Sequence, residues 1–180
     1  MTENPTDKRQ GRIADYSALI RAADGLTLRQ ICSLSGLEPS TIQNWVKRGF
    51  VPHPVNKKYR ERHLARILLI SELRESMQID RVGELLRYVN GDADDESDDI
   101  IREEALYDLF LTVCETLDGA DPAPDVIAQT VQTALCSCRL SGANRDIVEN
   151  ALNIMACTYM ANCYKRKADS IWKEKGVNHG

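Results

Sequence analysis

The sequence predicts an all-α protein in which a winged helix-turn-helix head precedes a small helical bundle. Three observations predict it. Residues 26–49 form two short helical patterns joined by a tight Ser35-Gly36-Leu37 turn. Residues 50–58 carry prolines at 52 and 54, so this stretch cannot be helical and reads as a loop or small wing. Beyond it, apolar residues recur at three- and four-residue spacing to about residue 173, with no strand–helix alternation.

The elements follow in order. Residues 1–11 are polar and are expected to be disordered. Over 12–23, Ile13, Tyr16, Leu19, Ile20 and Ala23 share a helical face, and Asp24-Gly25 ends the helix. Thr27-Leu28-Arg29-Gln30 is a capping box, in which the Thr27 hydroxyl accepts from the Gln30 N–H and the Gln30 side chain reaches back. The helix it opens is expected to bury Leu28, Ile31 and Cys32. Pro39 suits the first position of the next helix, whose inner stripe is Ile42, Trp45 and Val46. At about 100° per residue, Ser40, Gln43, Asn44 and Lys47 fall on the opposite side. Arg48 follows, and Gly49 is a natural stop.

A helix over 61–76 presents Leu64, Ile67, Leu68 and Leu73 on its apolar side, and Asp80 is expected to cap a further helix carrying Val82, Leu85, Leu86 and Val89. In Gly91–Asp99 six of nine residues are acidic, the composition of a solvated linker. Counted from Asp92, the sixth position of a calcium loop requires Gly and holds Ser97. Three helices complete the chain. The first, over about 100–117, lines up Leu106, Leu109, Phe110, Val113 and Leu117. The second, over about 124–138, lines up Ile127, Val131, Ala134, Leu135 and Cys138. The third, over about 144–173, spreads Ile147, Val148, Ala151, Leu152, Ile154, Met155, Thr158 and Tyr159 over a wide arc, which predicts burial against more than one neighbour. The expected organisation is a head over 12–90, an acidic linker over 91–99, and a helical dimerisation or effector unit over 100–175.

Composition narrows the function classes. The 43% apolar and 28% charged content is ordinary for a soluble globular chain. No apolar run approaches the roughly 20 residues that span a bilayer, and the first residues lack the apolar core of a signal peptide. A cytoplasmic protein without a membrane partner is expected. The six cysteines, at 32, 114, 136, 138, 157 and 163, are expected to be reduced and mostly core residues. Cys136 and Cys138, two apart on a helix, would point about 200° apart and could share an ion only if the helix has already unwound at Leu135. Cys157 and Cys163 likewise lie on different faces, and His53, His63 and His179 have no ligand partners at useful spacing. No metal and no cofactor are expected. There is no glycine-rich phosphate loop, nucleophile elbow or HExxH, so an enzyme is not expected. Glu103 and Glu104 read as first-turn residues that favour the helix dipole.

Charge is asymmetric. Residues 1–90 hold 15 Lys and Arg against 10 Asp and Glu, and residues 91–180 hold 8 against 17. Between Gln43 and Arg66 the basic residues are Lys47, Arg48, Lys57, Lys58, Arg60, Arg62 and Arg66, with only Glu61 opposing them, a net charge of +6. Such a concentration beside an exposed polar helix face is the footprint of a phosphate-contacting surface. Ser, Thr, Gln, Asn and Lys are side chains that reach base edges or phosphates. The expectation is sequence-specific binding of double-stranded DNA through 39–48, with a basic wing at 56–60 and a homodimer that doubles the site.

Residues 26–89 resemble the DNA-binding head of MerR-type transcriptional regulators. The resemblance is carried by Thr41-Ile42-x-x-Trp45-x-x-x-Gly49-x-Val51-x-x-Pro54, by Lys58-Tyr59-Arg60, by Leu64, Ile67, Ile70, Leu73 and Arg74, and by Val82, Leu85 and Leu86. The chain also resembles a bacterial family described as a domain of unknown function, with this head and a short helical tail. The resemblance implies major-groove contacts from Thr41, Gln43, Asn44 and Lys47, and wing contacts to phosphates from Lys57, Lys58, Tyr59 and Arg60; beside it, the residues themselves lead us to expect a further base contact from Ser40 and a phosphate contact from Arg48. The chain departs from the MerR pattern at Gln43 and Asn44, and in having an acidic stretch and three helices where that family has one long dimerising helix. The rival expectation is a protein-interaction module, with the head as docking surface and the acidic stretch and tail recruiting a partner. Glu38, at the start of the 39–48 helix, favours it.

Overall fold

Helix α4 (Glu61–Leu73) organises the molecule. Its residues 63–70 are buried without interruption, so it is covered on every side rather than along one stripe. The computed structural model describes residues 11–119 and 123–175, and the expected disorder of residues 1–11 lies outside these except at Gly11. Among the described residues there are eight α-helices and no strand. Around α4 pack α1 (Ile13–Ala22), α2 (Leu28–Ser35), α5 (Ile79–Asn90), α6 (Glu103–Leu117) and α8 (Gly142–Glu174). Helix α3 (Pro39–Lys47) packs on α2, and α7 (Pro124–Leu135) on α6 and α8. None of these helices is long and apolar enough to cross a membrane.

One apolar core runs through the whole arrangement, from Ile13 and Ile20 through Leu64 to Leu73 and on to Leu106, Val113, Val131, Leu152 and Met155. Helix α8 meets α4, α5, α6 and α7, as its wide apolar arc predicts. Its C-terminal half is fastened to the end of α4. Asn162 donates to the Glu72 carbonyl at 2.7 Å, and Arg166 lies 3.1 Å from Glu75 and 3.6 Å from Glu72. At the opposite end, Arg12 bonds Thr112 at 3.0 Å and Glu115 at 2.7 Å, tying the start of α1 to α6.

Several boundaries and orientations differ from the sequence reading. Leu19 is 52% exposed and Ile154 44% exposed, so neither joins the core. Helix α4 stops at Leu73 rather than Ser76. Asp80 does not cap α5; Gln78 occupies that position and Asp80 sits in the first turn, where its charge favours the helix dipole. Helix α7 ends at Leu135, so Cys136 and Cys138 do not lie on one continuous helix. Of the cysteines only Cys114 is buried; Cys32, Cys138 and Cys163 are partly buried, and Cys136 and Cys157 are exposed. Burial raises the Cys114 thiol well above the usual range and keeps it protonated.

Candidate nucleic-acid interface

Local chemistry sets up the pair α2–α3. Thr27 and Gln30 form the capping box, with the Thr27 N–H donating to Gln30 Oε1 at 2.9 Å and the Gln30 N–H donating to Thr27 Oγ1 at 3.4 Å. Gly36 closes α2 at φ +70°, a left-handed conformation that glycine adopts without a Cβ penalty. Pro39 opens α3. Ile42 (0% exposed) and Trp45 (2%) face inward, with Val46 at the margin. The Arg74 guanidinium lies 5.5 Å from the Trp45 ring centre.

Ser40, Gln43, Asn44 and Lys47 are all exposed, at spacings of three, one and three residues, so they share the outer face of α3. Thr41 is half-buried. After α3 the chain is held by Phe50, whose N–H donates to the Trp45 carbonyl at 2.9 Å. The Phe50 ring is buried against Gly83 of α5, where an added Cβ would come within 2.6 Å of it. Arg48 covers the same ring at 4.5 Å and pairs with Asp80 at 2.6 Å.

The proline-containing stretch is built as a tight turn, not as strands. Asn56 and Lys57 have φ of +52° and +61°, and the Lys58 N–H returns to the Val55 carbonyl at 2.9 Å. Two successive left-handed residues make the type of turn that matches strand twist. Here only isolated bridges form, Val55 with Lys58 and Leu26 with Tyr59. The second bridge, two backbone bonds of 2.8 Å, sets the turn beside the start of α2.

This arrangement sorts the basic residues. Lys47 and Lys57 are exposed and carry no ion pair among the described residues. Arg48 is paired as above, and Arg60 pairs with the exposed Asp24 at 3.0 Å. Lys58 is half-buried; its ammonium donates to the carbonyls of Ala23 at 3.2 Å and Gly25 at 3.1 Å, satisfying the C-terminal end of α1. Tyr59 is 4% exposed and packs edge-on against His63, so its ring supports the turn from inside.

Arg62 and Arg66 also leave the basic surface. Arg62 pairs with Glu96 and donates to the Ala93 carbonyl at 2.7 Å. Arg66, 2% exposed in its side chain, pairs with Glu103 (1%) and donates to the Phe50 carbonyl at 2.7 Å. The Glu103 Oε2 atom is buried without a hydrogen-bond partner. Glu103 is thus a buried counter-ion and not merely a first-turn residue. Two charges removed from water this way are tolerable only as a pair.

The acidic stretch is mostly exposed but is not a free linker. Ala93 is buried, Asp94 accepts from the His53 N–H at 2.6 Å and faces the His53 ring nitrogen at 2.8 Å, and a short 3-10 turn spans Glu96–Asp98. Burial alone would raise the Asp94 carboxyl; the hydrogen bonds from His53 outweigh it and hold Asp94 below the usual range. Asp99 is pushed up to about 6, first by burial and then by the neighbouring Glu103 charge. His63, buried between the Arg60 N–H and the His53 carbonyl, is lowered by burial. No periodic signal in the sequence marks the contacts of His53, Arg62 and Arg66 with Ala93, Asp94, Glu96 and Glu103, because the partners stand 31 to 41 residues apart.

Among the described residues no three of His, Cys, Asp and Glu gather as a set that could hold a metal ion. An open groove of about 480 Å³ between α6 and α7 is lined by Thr112, Thr116, Thr130 and Thr133 among others. Their hydroxyls already donate to carbonyls one turn back in their own helices.

Among known proteins, the chain is 29% identical over 98 residues to the uncharacterized protein YkrK of Bacillus subtilis (strain 168). The alignment covers 52% of this chain and 42% of that protein, so the chain spans less than half of its relative's length. No solved structure matches. Residues 25–110 match the model of a family described as a domain of unknown function (DUF1836), so the similarity runs from the start of α2 through the acidic stretch and into α6, past the Arg66–Glu103 pair.

Proposed function

We propose that the chain is a sequence-specific DNA-binding transcriptional regulator of the cytoplasm. In this reading α2 and α3 are a helix-turn-helix of MerR-like type, and the turn at 55–58 is a reduced wing. The observation that carries it is the outer face of α3: Ser40, Gln43, Asn44 and Lys47, all exposed, on a helix whose inner face is locked by Ile42 and Trp45. A short rigid helix with polar side chains outward is the geometry that reads base edges in a major groove. Thr41 stands at the margin of that face. Lys57 and Arg48 would take phosphates, with Arg60 and Lys58 exchanging their present partners for phosphate oxygens on binding.

A second reading, a protein-docking module, is favoured by one feature. Arg48, Arg60, Arg62 and Arg66 already have carboxylate partners, which reduces the free positive field. Titration against random-sequence duplex DNA at two salt concentrations separates the two. DNA binding predicts affinity that falls steeply with salt. The Lys47→Ala/Lys57→Ala variant should bind more weakly, with a salt slope reduced by about 1 for the phosphate that Lys57 no longer neutralises. Absence of binding at low salt would sink the DNA reading and favour docking.

A further inference from the structure

The outer face of α3 carries two carboxamides side by side. Gln43 and Asn44 are both exposed, and among the described residues neither side chain makes a hydrogen bond. Several other carboxamides are spent inside the molecule. Gln30 caps α2, Asn90 accepts from the Ile101 N–H at 3.3 Å, Gln132 donates to Glu149 at 2.9 Å, and Asn162 donates to the Glu72 carbonyl. The backbone under Gln43 and Asn44 is fixed, since Ile42 and Trp45 on either side are buried and the Phe50 N–H holds the Trp45 carbonyl. Ser40 lies one turn before the pair and Lys47 one turn after it. Ser40 to Lys47 is about 10 Å at 1.5 Å per residue, or about three base-pair steps at ~3.4 Å each.

We propose that Gln43 and Asn44 each read an adenine through its major-groove edge, so that the preferred site holds two adjacent A·T pairs facing the middle of α3. This rests on the DNA reading above and gives it a base preference. The ground is matched polarity. A carboxamide offers one acceptor and one donor in a plane. Adenine offers the complement, its N7 acceptor and N6 donor, and satisfies both at once. Guanine presents two acceptors, so the carboxamide oxygen is left facing one of them. Cytosine presents a donor alone, and thymine an acceptor beside a methyl group, so each meets only half of the amide. One adenine edge is filled by one carboxamide, so the second goes to the neighbouring pair. Lys47, which has donors only, cannot make this choice and suits guanine or a phosphate instead. Gln43 and Asn44 are also where the chain departs from the MerR pattern, so the base choice follows from this chain's own side chains.

Site selection on the full chain tests it. Duplexes with a randomised central segment are incubated with the wild type, with Gln43→Ala and with Asn44→Ala, and the retained pools are sequenced. Both side chains are exposed, so both variants should keep the helicity and melting of the wild type. The wild type should retain duplexes with A·T at two adjacent positions. Each variant should lose the preference at one of them and keep the other. Neither side chain is charged, so the salt slope should not change. A deaza analogue of adenine, with carbon in place of N7, removes the acceptor and leaves base pairing intact. At one selected position it should weaken wild-type binding about fivefold, for one bond of a bidentate pair. The variant lacking the matching carboxamide should not respond to it. Salt-sensitive binding without the two A·T positions, or with both preferences unchanged in either variant, overturns the adenine assignment and leaves the DNA reading standing. No binding to the pool at low salt overturns both.

Discussion

Arg66 and Lys57 belong to the same basic stretch of sequence, nine residues apart, and have opposite roles. Lys57 stands on an exposed left-handed turn with its charge in water. Arg66 lies in the middle of α4, whose residues 63–70 are all buried, its charge cancelled by Glu103 of α6. Counting charges along the chain gives both the same weight. Position in the fold makes one a candidate for phosphate and the other an internal fastener between α4 and α6. A basic segment is therefore not a basic surface, because each cation's field depends on the carboxylates that the fold brings to it.

The strongest way to break this contrast is to remove the inner counter-ion. Glu103→Ala leaves Arg66 charged and buried and should cost ~3–5 kcal/mol, read as a lower denaturant midpoint at similar slope. Replacing both partners, Arg66→Met with Glu103→Leu, should recover most of that loss; no recovery would mean that the pair is not what Glu103→Ala disturbs. Trp45→Ala should cost ~3–5 kcal/mol through the cavity it leaves, and little change in melting would show that α3 is not anchored as described.

A smaller effect lies between the inner and outer charges, at Asp99. Its carboxyl is raised in the folded state, so the folded chain holds the proton more tightly than the unfolded one. The resulting stability is fully present below about pH 3.8, the ordinary value, and is lost as pH rises through about 6. Asp99→Asn should therefore raise the melting temperature at pH 7, and the gain should shrink as pH falls below about 6. A gain independent of pH would exclude the carboxyl charge as its origin. The smallest effect belongs to the outer pairs. Asp80→Ala frees Arg48 on the surface and should change stability by under about 1 kcal/mol, while strengthening salt-dependent DNA binding if Arg48 is a phosphate contact. A loss of several kcal/mol would place that pair with the inner one.

Much of the fold was legible because its signals are local. The capping box at Thr27–Gln30, the stop at Gly36 and the start at Pro39 depend only on residues within a turn of one another, and each stands where expected. The apolar stripe of α6 is buried as its spacing predicts. The outward set on α3 could be read for the same reason: a helix of known phase with Ile42 and Trp45 inward leaves Ser40, Gln43, Asn44 and Lys47 outward. Tyr59 could not be read this way. Outside a helix, periodicity assigns no face, and the bridge to Leu26, 33 residues earlier, turns its ring into the core.

The sequence by itself determined the helical class, the tight turn between α2 and α3, and which side of α3 faces outward, since these follow from spacing, caps and backbone preference within a few residues. Only the tertiary structure decided which charges count. It buried Arg66 against Glu103, folded the acidic stretch onto His53 and Arg62, turned Lys58 onto the end of α1, and left Tyr164, Ile171 and Trp172 of α8 uncovered. The physical reason is range. Backbone conformation is governed by near neighbours, whereas burial and the field at a charge depend on groups that only packing brings within a few ångströms.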